Sequence, residues 1–98
     1  FSFKKYMAHA YEEPKGKVVV NEGAKLVLLS PTSAHSLLPV GITRVIGVFK
    51  KGDIIRIVDE SEREIGLGLA RYGYKKAKKV LGIKNQPPLI HYDHLYLH

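Results

Sequence analysis

Apolar and polar positions alternate with period two over much of this chain, and the places where the alternation stops read as turns. The clearest run is Ser36 to Asp53. Pro39 and Gly41 punctuate a tight entry, Pro39 by fixing its own φ and Gly41 by permitting angles that a Cβ forbids. A strand follows, with Ile42, Arg44, Ile46 and Val48 on one face and Thr43, Val45, Gly47 and Phe49 on the other. Both faces are largely apolar, as suits a strand inside a small barrel. Lys50-Lys51-Gly52-Asp53 is a charged turn, and Ile54 to Val58 is a second strand.

Upstream, Tyr11 to Gly16 is a polar break, and Lys17 to Val20 is a short β-branched strand. Asn21 is a good N-cap with Glu22 in the first turn. A short helix then follows, with Ala24, Val27 and Leu28 at helical spacing and Leu26 and Leu29 filling in. Ser30-Pro31-Thr32-Ser33 stops it. Downstream, Asp59 to Glu62 is a hairpin turn. Arg63 to Arg71 sets Ile65, Leu67 and Leu69 against Gly66, Gly68 and Ala70. That bare face lets the sheet curl or lets something lie against it. Tyr74 to Leu81 is a second short helix, with Tyr74, Ala77 and Leu81 inward, Val80 beside them, four lysines outward or flanking, and Gly82 as its stop. Asn85 to Pro88 is an extended loop, and Ile90 to Leu97 a last strand, Leu95 and Leu97 facing one way.

The predicted order is strand, helix, three strands, helix, strand: a mainly β fold of mixed α/β content, with two short helices. The expected core is Val18, Val20, Val27, Leu28, Leu38, Ile42, Val45, Val48, Ile55, Ile57, Ile65, Leu67, Leu69, Leu81, Leu95 and Leu97.

Composition narrows the function. Ninety-eight residues make one domain. There are no cysteines, which excludes disulfides and thiolate metal sites and is compatible with a reducing cytoplasm. No apolar run is long enough for a membrane span. The chain opens on Phe1 with no initiator Met and no signal-type apolar core, as a fragment would, and His98 is either native or the start of a tag. The formal charge of +7 favours anionic partners, nucleic acid above all, although charge alone also serves solubility.

Candidate chemistry is sparse. Gly66-Leu67-Gly68 lies in a strand, lacks a third spaced glycine and opens no helix, so it is not a phosphate loop. Nothing in the sequence pairs Ser30, Ser33 or Ser36 with a base. His91 and Asp93 share a strand face while His94 points away, a poor arrangement for a metal. The fragment is therefore expected to have no catalytic residue, no metal and no cofactor. For RNA, the residues to test are Leu38, Pro39, Val40 and Gly41, where backbone can approach a phosphate, with charge from Lys25, Arg44, Arg71, Lys75, Lys76 and Lys79. A solvated helix face is the plainer account of the lysines. Tyr72 and Tyr74 are the only aromatics beside them, and RNA readers usually interleave more.

This order and several of its motifs resemble the PUA domain, and in particular the PUA domain at the C-terminal end of bacterial glutamate 5-kinases. The matching residues are Lys15 to Ala24, the distinctive Ser36-Leu37-Leu38-Pro39-Val40-Gly41-Ile42 run, Phe49 to Asp53, Gly66 to Leu69 and Ile90 to Leu97. Lys4 to Ala10 resembles the joint between kinase and PUA domains. Tyr92 departs from the arginine usual there, and the loop before Ile90 is short.

The resemblance implies a PUA-like pseudo-barrel over residues 17–98, with 1–16 a linker from a preceding kinase domain. It implies a cytoplasmic parent that phosphorylates L-glutamate with ATP and Mg in proline biosynthesis. It also implies a non-catalytic role for this fragment: RNA binding, regulation or support of an oligomer. The alternative is an RNA-binding PUA module of a pseudouridine synthase or transglycosylase, or a free-standing RNA binder.

Overall fold

The computed structural model describes residues 13–98, so the expected joint at Phe1 to Ala10 lies outside the described residues. The elements are β1 (Gly16–Val20), α1 (Glu22–Leu28), β2 (Ile42–Gly47), β3 (Ile54–Val58), β4 (Glu64–Leu69), α2 (Tyr74–Val80) and β5 (Leu95–Leu97). Short 3-10 turns at Pro39–Gly41 and Tyr92–His94 precede β2 and β5. The sheet runs β2-β1-β3-β4-β5, with β1 and β3 parallel and the other neighbours antiparallel. The segments leading into its two edge strands meet each other. Leu37 N–H donates to Ile90 O and Leu89 N–H donates to Leu37 O, each at 2.9 Å. This bridge draws the curled sheet into a pseudo-barrel and limits its open edges.

The main core holds Val18, Val20, Leu28, Ile42, Val45, Ile55, Ile57, Ile65 and Leu95, as expected. It also holds Ala77, expected on the inward stripe of α2, and Leu37, Phe49, Ala70, Leu89 and Ile90, which alternation alone did not single out. Leu81 and Leu97 pack against it half-buried. Two bulges set which residues of β2 and β4 face the core. Val19 pairs with Arg44 and Val20 with Ile42, so Thr43 is an extra residue and Ile42 and Val45 both turn inward. Ile57 pairs with Gly66 and Val58 with Glu64, so Ile65 is extra and joins the core. Leu67 and Leu69, expected beside Ile65, pack instead with Ile54 and Tyr96 in a second, smaller cluster.

Three expected core residues are exposed. Val48 is 67% exposed because β2 ends at Gly47, whose φ of 93° turns the chain so that Phe49 rather than Val48 points inward. Val27 and Leu38 are each 47% exposed, for reasons that belong to the surface described next.

The bare face of β4 is filled by the chain itself. A Cβ on Gly66 would sit 2.6 Å from Tyr96 O, and one on Gly68 would sit 2.6 Å from Ile90 Cγ2. Close approach by the C-terminal segment, which lies against that face, therefore accounts for the glycines. The last strand is also shorter than expected. The Tyr92–His94 turn interrupts it, with Ser36 Oγ accepting from Tyr92 N–H at 2.9 Å and His91 Nδ1 accepting from Asp93 N–H at 3.2 Å.

Candidate nucleic-acid interface

Helix α1 begins where Asn21 Oδ1 accepts the Ala24 N–H at 2.8 Å. The seven residues that follow carry few polar groups, and Leu26, Val27, Leu28 and Leu29 are consecutive. Successive helical residues step about 100° around the axis, so a helix lying on a sheet cannot bury all four. Only Leu28 is buried, while Leu26, Val27 and Leu29 are exposed.

The Pro39–Gly41 turn lies against this helix. Asn21 N–H donates to Gly41 O at 2.9 Å, and a Cβ on Gly41 would meet Ala24 Cβ at 2.5 Å. Gly41 is thus required for close approach, and not for an unusual φ. Gly82 N–H donates to Pro39 O at 2.7 Å and holds the turn to the end of α2.

Between helix and turn runs a groove of about 300 Å³, lined by Ala24, Val27, Leu37, Leu38, Val40 and Gly41 among others. Its walls are mostly apolar. Leu38 and Val40 are exposed on its rim, which is why Leu38 is not in the core. Three amides of the turn and the first turn of α1 already have partners. Gly41 N–H donates to Leu38 O at 3.1 Å, Ala24 N–H goes to the Asn21 side chain, and Lys25 N–H goes to Asn21 O.

The candidate cations lie in several places. Lys25 Nζ is 2.9 Å from Asp59 Oδ2. The hydrogen bond to Asp59 holds the Lys25 pKa above its usual value, and the same bond, with the Arg63 N–H, holds the Asp59 carboxyl below its own. Arg44 is exposed on β2. Lys17 Nζ lies 2.8 Å from Glu62 Oε2. That bond holds the Glu62 carboxyl low, and the positive charge of Arg44 adds to the effect. Lys25 is therefore paired with a carboxylate, which mutes the field it offers. Arg71 lines a different pocket, with Lys51 and His94. Lys75, Lys76 and Lys79 are exposed on α2.

The two tyrosines near those lysines are engaged internally. Tyr72 Oη donates to Pro87 O at 2.9 Å and has Lys76 Nζ 4.8 Å from its ring centre. Burial raises the Tyr72 pKa. Tyr74 packs edge-on against Phe49 and faces Lys78 at 5.6 Å. Tyr92 is exposed, its ring 4.3 Å from that of His91.

The structure thus gathers Leu38, Val40 and Gly41 with the unanticipated Val27 in one groove. It leaves the candidate cations around it rather than in it. Val27 was legible in principle, because a two-turn helix with four consecutive apolar residues must expose some of them.

Other chemistry is limited. Ser33 Oγ and His35 Nε2 are 2.7 Å apart, a pairing the sequence did not indicate, but both are exposed and no carboxylate orients the ring among the described residues. The Tyr92–His94 turn brings the His91 and His94 rings to 6.2 Å, closer than a continuous strand would place them. Among the described residues no group of three or more His, Asp or Glu is arranged to hold a metal ion, and no helix is long and apolar enough to cross a membrane.

Comparison with known proteins adds a family. The model of the PUA domain matches residues 16–86. Over 96 residues the chain is 48% identical to the glutamate 5-kinase of Chlorobaculum tepidum, covering 98% of this chain and 27% of that protein. It is 41% identical over 96 residues to the glutamate 5-kinase of Bacteroides thetaiotaomicron, covering 98% of this chain and 26% of that protein. The chain therefore spans about a quarter of the length of these curated relatives. Among solved structures, a PUA domain from Aeropyrum pernix in complex with tartrate aligns with TM-score 0.72 at 22% identity, over 95% of this chain and 50% of that one. A chain of the archaeal box H/ACA sRNP Nop10-Cbf5 complex aligns with TM-score 0.56 at 16% identity, over 88% of this chain and 24% of that one.

Proposed function

The chain belongs to the PUA domain family, and we propose that it is the C-terminal, non-catalytic PUA domain of a glutamate 5-kinase. On this reading residues 1–16 are the joint from the kinase domain and residues 17–98 the PUA unit. The parent is a cytoplasmic enzyme that phosphorylates L-glutamate with ATP and Mg in proline biosynthesis, and the PUA unit supports its regulation or oligomer. The observation that carries the proposal is 48% identity extending over 98% of this chain, beyond the residues the PUA model matches. Reading the parent gene upstream of Phe1 tests it. A kinase coding region there is expected; a pseudouridine synthase or transglycosylase would overturn it.

A second reading, contact with structured RNA, is favoured by the net charge of +7 and the exposed lysine face of α2. The proposed binding is weak and backbone-driven, because the tyrosines beside the lysines already have partners within the fold.

A further inference from the structure

The pocket that holds Arg71 has a character of its own. It has a volume of about 290 Å³ and is lined by Lys51, Gly52, Leu69, Ala70, Arg71 and His94. Three separate stretches supply these residues: the β2–β3 turn, the end of β4 with the residues just after it, and the turn before β5. The lining includes no carboxylate. Lys17, Lys25 and Arg56 each pair with an acidic residue, whereas Lys51 and Arg71 have no such partner among the described residues. Among the described residues no carboxylate stands within ion-pairing distance of either cation.

The frame beneath them is tied by backbone. Gly52 N–H donates to Ala70 O at 2.8 Å, Ala70 N–H to Asp53 O at 2.9 Å and Arg71 N–H to Leu89 O at 2.7 Å. Asp53 Oδ2 also accepts the Lys50 N–H at 2.8 Å, closing the turn that carries Lys51. These amides are spent on the frame, so recognition in the pocket falls to side chains. A guanidinium fork and an ammonium beside the apolar Leu69 and Ala70 suit a compact oxyanion. The fork can engage two oxygens at once and the ammonium adds a point charge. A concave wall of low polarity strengthens both.

We propose that the Lys51–Arg71–His94 pocket binds a phosphoryl group, carried either by a nucleic-acid backbone or by a free phosphate compound. Its small-phosphate arm goes beyond the function proposed above, its nucleic-acid arm rests on the RNA reading given there, and neither depends on the identity of the parent. The pocket shares no residue with the α1 groove.

The test is an NMR titration of the whole 98-residue chain with inorganic phosphate, pyrophosphate and a short single-stranded RNA, with chloride at matched ionic strength as the control. Saturable shifts are expected at the Gly52, Ala70 and Arg71 amides and the His94 ring. The double variant K51Q/R71Q should weaken binding by about tenfold or more, the loss of charge-assisted hydrogen bonds. The variant K15Q/K84Q, with the same change of charge at exposed positions elsewhere, should stay within about twofold, as expected of solvated charges away from the ligand. Thermal unfolding of both variants checks that they fold. Saturation by the inorganic anions alone assigns the site to small phosphates, and saturation by RNA at the same residues assigns it to a backbone. Shifts that match chloride, or equal losses in the two variants, overturn the proposal. RNA binding confined to the groove would shift Ala24 and Gly41 instead.

Discussion

Lys25 Nζ stands 2.9 Å from Asp59 Oδ2, and this contact ties α1 to the β3–β4 turn across 34 residues of sequence. The other Asp59 oxygen accepts the N–H groups of Ser61 and Arg63, both at 2.9 Å. Asp59 is the one buried charged residue among the described residues. A buried carboxylate that loses its partners is destabilising, so its connections dictate how the turn closes.

The first prediction follows from the sign of that interaction. The folded-state pKa of Asp59 lies below its ordinary value of 3.8. The unfolded chain therefore takes up the proton first as pH falls. The stabilisation from Asp59 is present in full above the unfolded value and is lost as pH drops through the lower folded value. Asp59→Asn should lower the thermal midpoint at neutral pH. The gap between variant and parent should close below that window. A gap that stays constant into strong acid would show that charge at Asp59 contributes nothing.

Gly41 gives a second prediction. An added methyl would collide with Ala24 Cβ, which is fixed to the helix and cannot swing aside. Gly41→Ala should cost about 1–3 kcal/mol, the usual range for overpacking, and should displace α1 from the Pro39–Gly41 turn. Denaturant unfolding measures the cost, and shifts at the Asn21 and Ala24 amides report the displacement. An unchanged midpoint would mean that the helix and turn separate freely.

A third prediction contrasts two apolar residues. Leu89 is fully buried, and its N–H donates to Leu37 O where the barrel closes. Leu89→Ala should cost about 2–5 kcal/mol. Val48→Ala, on a residue expected in the core but exposed in the fold, should stay within about 0.5 kcal/mol. Equal costs would contradict the inward turn of the chain at Gly47.

Local signals were legible in the sequence wherever neighbours in the chain decide the outcome. Asn21 caps α1, Gly82 with its φ of 76° follows the end of α2, and β1 and β3 alternate or run apolar as their burial requires. The bulges at Thr43 and Ile65 were not legible, because an extra residue shows only against its partner strand. The interrupted last strand depends on Ser36, which lies 56 residues from Tyr92. At the candidate interface, the Leu38–Gly41 turn was found from its Pro and Gly punctuation. The engagement of Lys25 by Asp59 was not, since nothing local marks an ion pair so far apart in sequence. That pairing changes what Lys25 can do: its substitution acts first on the fold.

The last prediction concerns RNA. A net charge of +7 attracts a polyanion, and each neutralised phosphate releases counterions, so affinity falls steeply with salt. Lys75, Lys76 and Lys79 project from α2 with no carboxylate partner among the described residues, whereas Lys25 is already paired. Binding to a tRNA and to an unrelated hairpin should be comparable at about 50 mM salt and largely gone by about 200 mM, as expected of several phosphate contacts. Charge reversal at the three lysines should weaken both RNAs alike and reduce the salt slope. Arg44→Ala should cost less, since the charge of Arg44 already acts on Glu62. Lys25→Ala should lower thermal stability and alter RNA binding little once the folded fraction is accounted for. Fluorescence anisotropy across a salt series measures all of these. Tight, tRNA-selective binding that survives physiological salt would instead require base stacking and 2′-hydroxyl contacts. It would move the RNA-module reading ahead of the kinase one.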